Sequence, residues 1–366
     1  MMSREALKIL VIAVLIAAIG LVSIYSSTYQ KEGKLWQSIA QRQLVWVMIG
    51  IACFLMMSRF YYRRFWDWTY VLYAIAVSLL FLVFILGIVR LGAQRWLRFS
   101  WFNFQPTELM KLIVVVFLAR YFSLKSLDNV SLKISSLGLW RAFILPFIFV
   151  AVPVAMIIEQ PDLGSGVMVL CIFVTMLFMA NVRIQYFLML LGGVCLLFPV
   201  LWHYLRDYQK DRLLVFMNPN IDPLGAGYTV IQSKIAIGSG GFFGKGWLSG
   251  TQSQLHFLPE SHTDFIFASF SEEWGFLGCM ILLGLYFLLI KQGIEIAERT
   301  YDSFGRLLAF GISFMLGIQV SINILMNLGL APVVGLPLPL MSYGGSSVFV
   351  TFLALGILAN ISNSRA

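Results

Sequence analysis

Few side chains in this sequence could do chemistry, and most of them interrupt long apolar runs. Asp264 ends the polar stretch Leu258-Pro-Glu-Ser-His-Thr-Asp-Phe-Ile-Phe267 just before one such run. A carboxylate there either caps the helix that follows or stands at its edge as a reactive group, and position alone favours the cap. Glu108 and Lys111 lie three residues apart within another run, hence on one helical face. They suit either a mutually neutralising ion pair or the lining of a polar cavity. Glu159 and Asp162 flank Gln160-Pro161; Asp162 alone reads as a turn cap, while the two together suit a cation or a basic residue from a distant loop. Glu272 and Glu273 follow about two turns after Asp264, and at least one must face inward, for pairing or for catalysis. His262 reads as an ordinary polar residue, with no second histidine or carboxylate at zinc-ligand spacing such as HExxH. The stretch GSGGFFGKGWLSG at 238–250 holds six glycines. It fails the phosphate-loop pattern, since Ser239 stands where the first glycine should be and Gly246 follows Lys245. Its glycines imply a tight backbone path or close approach to a ligand, such as a backbone nest for a diphosphate.

Composition says what must hold these residues. Of 366 residues, 60% are hydrophobic and only 12% charged, with mean hydropathy +0.86. A soluble domain carries about 25% charged residues, so the polar surface of a water-soluble fold is missing. An aromatic content of 15% excludes disorder. Cys53, Cys171, Cys195 and Cys279 lie inside apolar runs with no CxxC spacing and read as packing residues. The chain is an integral membrane protein.

A bilayer core needs roughly 20 apolar residues per helix. Ten segments approach this: about 7–27, 43–58, 69–90, 108–124, 141–158, 164–181, 186–205, 265–290, 305–330 and 344–362. None alternates as a barrel strand would, which predicts an all-α, polytopic bundle forming a single membrane domain over 1–366. The first segment reads as a span rather than a signal peptide, because no A-x-A-like site follows it. With the N-terminus inside, fourteen Lys and Arg fall on the inner side and six in the short outer loops, so both termini are expected in the cytoplasm. The net charge of +9 follows from this asymmetry and does not imply nucleic acid. Tyr61, Tyr62, Trp66, Trp68 and Trp140 fall at span ends, as an interfacial belt requires. One long outer loop, 206–264, joins the seventh and eighth spans, and within it 228–237 is expected to form a short helix or strand.

The motifs Gly92-Ala-Gln-Arg-Trp96, Phe104-Gln-Pro-Thr-Glu-Leu-Met-Lys111 and Gln160-Pro-Asp-Leu-Gly164 carry a family resemblance. So do Asp222-Pro-Leu-Gly-Ala-Gly-Tyr228, Gln232–Gly241, Gly244-Lys-Gly246, Gly250-Thr-Gln252, Leu258–Phe267 and Pro339-Leu-Met-Ser-Tyr-Gly-Gly-Ser346. On these the chain resembles the SEDS family (shape, elongation, division and sporulation). The GAQRW and GTQ forms favour its elongation (RodA) branch over its division (FtsW) branch. Thr107 stands where the family more often has Ser, which keeps the hydroxyl.

The resemblance implies a peptidoglycan glycosyltransferase of the bacterial inner membrane that polymerises lipid II during elongation. It places the essential carboxylate on Asp264. The departing undecaprenyl diphosphate is already a weak base, so only the attacking 4-hydroxyl needs a proton acceptor; glycoside hydrolysis, by contrast, normally uses a carboxyl pair. An α-linked donor then gives a β-linked product by single displacement. Developing charge on the diphosphate calls for Arg, Lys or a divalent cation, magnesium or manganese. Arg95, Arg212, Lys234 and Lys245 are the outer-side cations. Glu108, Lys111, Asp162, Gln252, His262, Thr263, Ser342 and Tyr343 complete the substrate-binding set on the matched motifs. No SxxK motif is present, so the resemblance implies a class B penicillin-binding protein as crosslinking partner, with other elongation-complex proteins. A lipid II transporter and a non-catalytic scaffold are the rival readings. Against the first, the matched residues gather at the outer surface and no internal repeat is seen; the second leaves the polar loop unexplained.

Overall fold

Each of the ten apolar runs contains a helix. The computed structural model describes residues 2–29, 35–90, 93–99, 102–127, 138–204, 206–223, 225, 227–255 and 257–364. Gly92, Leu224 and Ala226 of the motifs, and Lys31, Lys34, Lys133 and Arg365 of the charge count, lie outside these residues. In chain order the helices are α1 (Arg4–Thr28), α2 (Leu35–Arg59), α3 (Arg64–Leu86), α4 (Pro106–Leu127), α5 (Leu145–Glu159, entered through a π-helical turn at Trp140–Ile144), α6 (Leu163–Met179) and α7 (Ile184–Tyr204). The long loop contributes α8 (Asp207–Met217), α9 (Tyr228–Ser239) and α10 (Thr251–Gln254). Then come α11 (Ile266–Glu298), α12 (Ser303–Asn327) and α13 (Gly345–Asn363). Among the described residues seven helices are long and apolar enough to cross a membrane: α1, α2, α3, α5 with its π turn, α11, α12 and α13. The chain is a multi-pass membrane protein.

The all-α expectation needs one correction. The third run ends early, and Gly87–Arg90 instead opens a three-stranded antiparallel sheet with Ala93–Arg98 and Asn103–Phe104. Ile88 and Val89 pair with Trp96 and Gln94; β-branched residues in a short run suit a strand as well as a span. Gln94 Nε2 donates to the Val83 and Gly87 carbonyls at 3.0 and 2.9 Å, reinforcing the α3 terminus, where the Gly87 N–H also bonds to Val83 O.

Among the seven candidate spans the most enclosed is α13, which packs along α2 through small residues. Gly50 lies against Phe352, and Gly356 against Phe54 and Met57, the close approach that membrane helices need. Its end is stapled to both early helices. Asn360 Nδ2 and Asn363 Nδ2 donate to the Ser58 carbonyl at 2.9 and 3.1 Å. Asn360 Oδ1 accepts from Tyr62 N at 2.9 Å, and Ser3 N donates to Asn363 Oδ1 at 2.8 Å.

The helix α11 is interrupted at Gly275, whose φ of 64° only glycine adopts readily. The glycine-rich loop repairs the break. Lys245 and Gly246 donate their N–H groups to the Glu272 and Glu273 carbonyls, while Phe276 and Leu277 donate to Gly241 and Phe242. A side chain at Gly240, Gly244 or Gly275 would run into the opposing backbone. The glycines therefore serve a tight backbone path, and the Lys245 and Gly246 donors that a diphosphate nest would use are engaged within the fold.

Candidate active site

Asp264 lies in the irregular turn before α11 and does not cap it. Phe265 occupies the capping position with no side-chain hydrogen bond, and Asn327 Oδ1 on α12 accepts from Ala268 N at 3.2 Å instead. The turn is held from outside, carbonyl by carbonyl. Ser269 Oγ donates to Ser261 O at 3.3 Å, Tyr343 N to His262 O at 2.9 Å and Ser342 Oγ to Thr263 O at 2.7 Å. Asn323 Nδ2 and Asn327 Nδ2 both donate to Asp264 O, at 3.0 and 3.1 Å. Opposite the carboxylate runs Gly335 (φ 72°), where a built Cβ would sit 3.4 Å from Asp264 Oδ2.

Asp264 keeps a partial opening to solvent, yet its carboxyl is pushed up to about 6. Withdrawal from water is the largest cause and the nearby Glu260 carboxylate the next, while Arg212 and Arg95 oppose them and Asp162 adds to the rise. Arg212 on α8 is itself lowered from its ordinary value, first by burial and then by Arg95. Two cations close enough to repel one another, beside an elevated carboxyl, form a place where an anion gains on binding. Arg95 is anchored there by the α5–α6 turn: it donates to the Gln160 carbonyl at 3.4 Å and to the Pro161 carbonyl, and lies 3.6 Å from Asp162 Oδ1. Asp162 also caps α6 through Ser165 N at 3.2 Å. Glu159 pairs with Arg206 of the long loop at 2.7 Å, so the turn carries both an Asp162 cap and a basic partner.

Other expected residues have different places. Lys245 is 2.7 Å from Glu272 Oε1, a fully buried carboxylate that also accepts from Thr251 Oγ1, Thr251 N and Gln252 N. Glu273 is bonded by Ser26 of α1, so Glu272 and Glu273 both find partners within the fold. Lys234 is exposed on α9 with its stem across Gly329. Glu108 and Lys111 form a buried pair at 2.8 Å, and Lys111 Nζ reaches Gln319 Oε1 at 3.1 Å. Ser342 is buried, accepting from Leu338 N at 2.8 Å as well as donating to Thr263 O. The Tyr343 ring packs on His262 at 5.9 Å. Thr263 Oγ1 donates to Glu260 Oε2 at 2.9 Å. Gln252 Oε1 is buried without a hydrogen-bond partner among the described residues.

Residues 6–366 match the family described as "Cell cycle protein" (FTSW_RODA_SPOVE). The chain belongs to this family. The peptidoglycan glycosyltransferase MrdB of Escherichia coli K12 is 40% identical over 343 residues, covering 93% of this chain and 89% of that protein. The probable peptidoglycan glycosyltransferase FtsW of Geobacter metallireducens is 37% identical over 366 residues, covering 98% and 95%. Among solved structures, a chain from work on the structural coordination of polymerization and crosslinking by a peptidoglycan synthase complex superimposes with TM-score 0.81 at 32% identity, covering 98% of this chain and 97% of that one. The rod shape determining protein RodA of Thermus thermophilus gives 0.71 at 28% identity, covering 98% and 96%.

For this member of the FtsW/RodA/SpoVE family, the residues missed by sequence reasoning are amides. Gln319, Asn323 and Asn327 recur every four residues along one face of an otherwise apolar helix, a spacing visible in the sequence. Gln319 Nε2 donates to Pro337 O at 2.9 Å and Asn323 Nδ2 to Leu336 O at 2.7 Å, so this face carries the loop opposite Asp264. A divalent cation is the alternative to Arg and Lys for the diphosphate charge. Among the described residues no three His, Cys, Asp or Glu side chains gather to hold one. A magnesium-type ion asks for only one or two carboxylates plus substrate phosphates, and Asp264 fits that lesser demand.

Proposed function

We propose that the chain is a peptidoglycan glycosyltransferase that polymerises lipid II during cell elongation, with Asp264 as general base. The activity follows from the relatives. The observation that carries the role of Asp264 is its carboxyl: not used as a helix cap, raised to about 6 and faced by Arg212 and Arg95. A base is most effective with its pKa near the working pH. Asp264 accepts the proton of the acceptor 4-hydroxyl as that oxygen attacks the donor C1. The C1–O bond to the diphosphate breaks in the same displacement, inverting the anomeric centre, and Arg212 and Arg95 neutralise the departing charge. Lys234 serves as a further outer cation. A divalent cation, held by Asp264 and the substrate's phosphates, would supply additional charge neutralisation.

The same reading sets the chain in the bacterial inner membrane as one domain of ten spans, with both termini cytoplasmic and 206–264 outside. A class B penicillin-binding protein crosslinks the product. The test is chain formation from purified lipid II, with and without that partner. Wild type is expected to polymerise, faster in the complex, and Asp264→Asn to lose at least the 10²–10⁴-fold that a positioned base contributes. A folded Asp264→Asn chain that polymerises at near wild-type rate would overturn the assignment.

A further inference from the structure

Resting on the reading of Asp264 as the base, we infer that Asn323 and Asn327 are positioning residues for the reaction. Both side chains are fully buried, one turn apart on α12, and their amide donors converge on a single atom, the Asp264 carbonyl oxygen. A buried amide serving only as glue between helices needs some partner, not the same partner as its neighbour. Asn327 Nδ2 also donates to the Asn323 carbonyl within α12 at 2.8 Å, and other bonds of the pair reach the site walls. Asn327 Oδ1 takes the α11 N–H of Ala268 and Asn327 Nδ2 donates to Asn323 Oδ1 at 3.2 Å, orienting the second amide. Asn323 Nδ2 also holds Leu336 O, next to the Gly335 backbone that runs past the Asp264 carboxylate. Ser233 Oγ of α9 donates to Asn327 O at 2.7 Å. Thus α12 fixes the gap between the two walls of the site, Asp264 on one and Gly335–Leu336 on the other. A misplacement of about 1 Å can cost on the order of 10²-fold in rate, and Asp264, lying outside regular structure, has no helix backbone to hold it.

The test uses the purified full chain with its transpeptidase partner and lipid II as substrate, reading kcat, KM and thermal melting for Asn323→Asp, Asn327→Asp, the double variant and Asn323→Ser. Aspartate keeps the size and replaces the donor by an acceptor; serine keeps a donor. Each aspartate variant should lower kcat by about 10–100-fold with KM within about threefold. The double variant should fall little further, because both amides act on one atom. Asn323→Ser should recover most of the lost kcat. A folded Asn323→Asp chain with near wild-type kcat, or one impaired only through KM, overturns the inference. Failure of the aspartate variants to fold, with the serine variant either unfolded or at full kcat, makes Asn323 a structural residue and overturns it too. Asp264→Asn is measured alongside. If that variant stays active the base reading fails, whereas if it is inactive and the asparagine variants keep their kcat, this inference alone fails.

Discussion

Lys111 and Gln319 are bonded across α4 and α12: the ammonium that neutralises Glu108 also donates to Gln319 Oε1 at 3.1 Å, and the other end of that amide holds the Pro337 carbonyl. The buried ion pair is thereby tied, through a single side chain, to the loop that faces Asp264.

Charge reversal at the pair should therefore be only partly compensated. Glu108→Lys or Lys111→Glu alone leaves two like charges buried together and should cost about 3–5 kcal/mol. Exchanging both restores the pair but sets a carboxylate against Gln319 Oε1, so the double variant should melt between wild type and the singles and polymerise slowly. Adding Gln319→Lys to the exchange, which supplies a donor, should raise the melting temperature again. An exchange with full activity would show that Gln319 transmits nothing.

Polymerisation should fall on the acid side of about pH 6. The base works only as the carboxylate, so its ionised fraction drops tenfold per unit well below the Asp264 pKa. The sign for stability is opposite. A carboxyl raised from 3.8 to about 6 on folding favours the folded state while protonated, and that advantage is lost as pH rises through 6. Asp264→Asn should accordingly melt above wild type at pH 7.5, with the difference shrinking towards pH 4. A pH–rate profile and melting curves at three pH values check both.

Glu272 should matter more to folding than Lys245. Removing the buried carboxylate in Glu272→Ala strands the Thr251 and Gln252 N–H groups and the lysine together, a loss of about 3–5 kcal/mol. Lys245→Met leaves the carboxylate its other donors and should cost less. Thermal melting ranks the two. A Lys245→Met chain that melts like wild type yet fails to polymerise would return Lys245 to the diphosphate.

Reporter fusions should place 206–256 outside the cytoplasm and 125–135 inside. An external reporter after Asn363 would break the ten-span arrangement.

What could be read in advance divides by range. The helices were legible because each span buries a long apolar run, while the strand Gly87–Arg90 was not, since it continues the apolar run and its partner strand decides. Asp264 stood out through its motif. Its raised carboxyl did not, because Arg95 and Arg212 come from a strand after α3 and from α8 to act on it. Lys245 looked available to substrate only while the direction of Glu272 was unknown. Gln319, Asn323 and Asn327 were there to be found: three amides at one helical repeat in an apolar segment need partners, and that signal requires no fold to see it.

The staple between the early helices and the last one sets an order of assembly. Ser58 and Asn360 are separated by 302 positions, so α2 enters the bilayer long before the amides that bond its terminal carbonyl have been synthesised. During that interval the small-residue face of α2 around Gly50 meets lipid or insertion machinery rather than Phe352. Contacts of such sequence separation form late. Only when α13 packs against both α1 and α2 does the bundle close, and a ribosome stalled before Gly345 leaves two helices in the membrane with their shared partner still unmade.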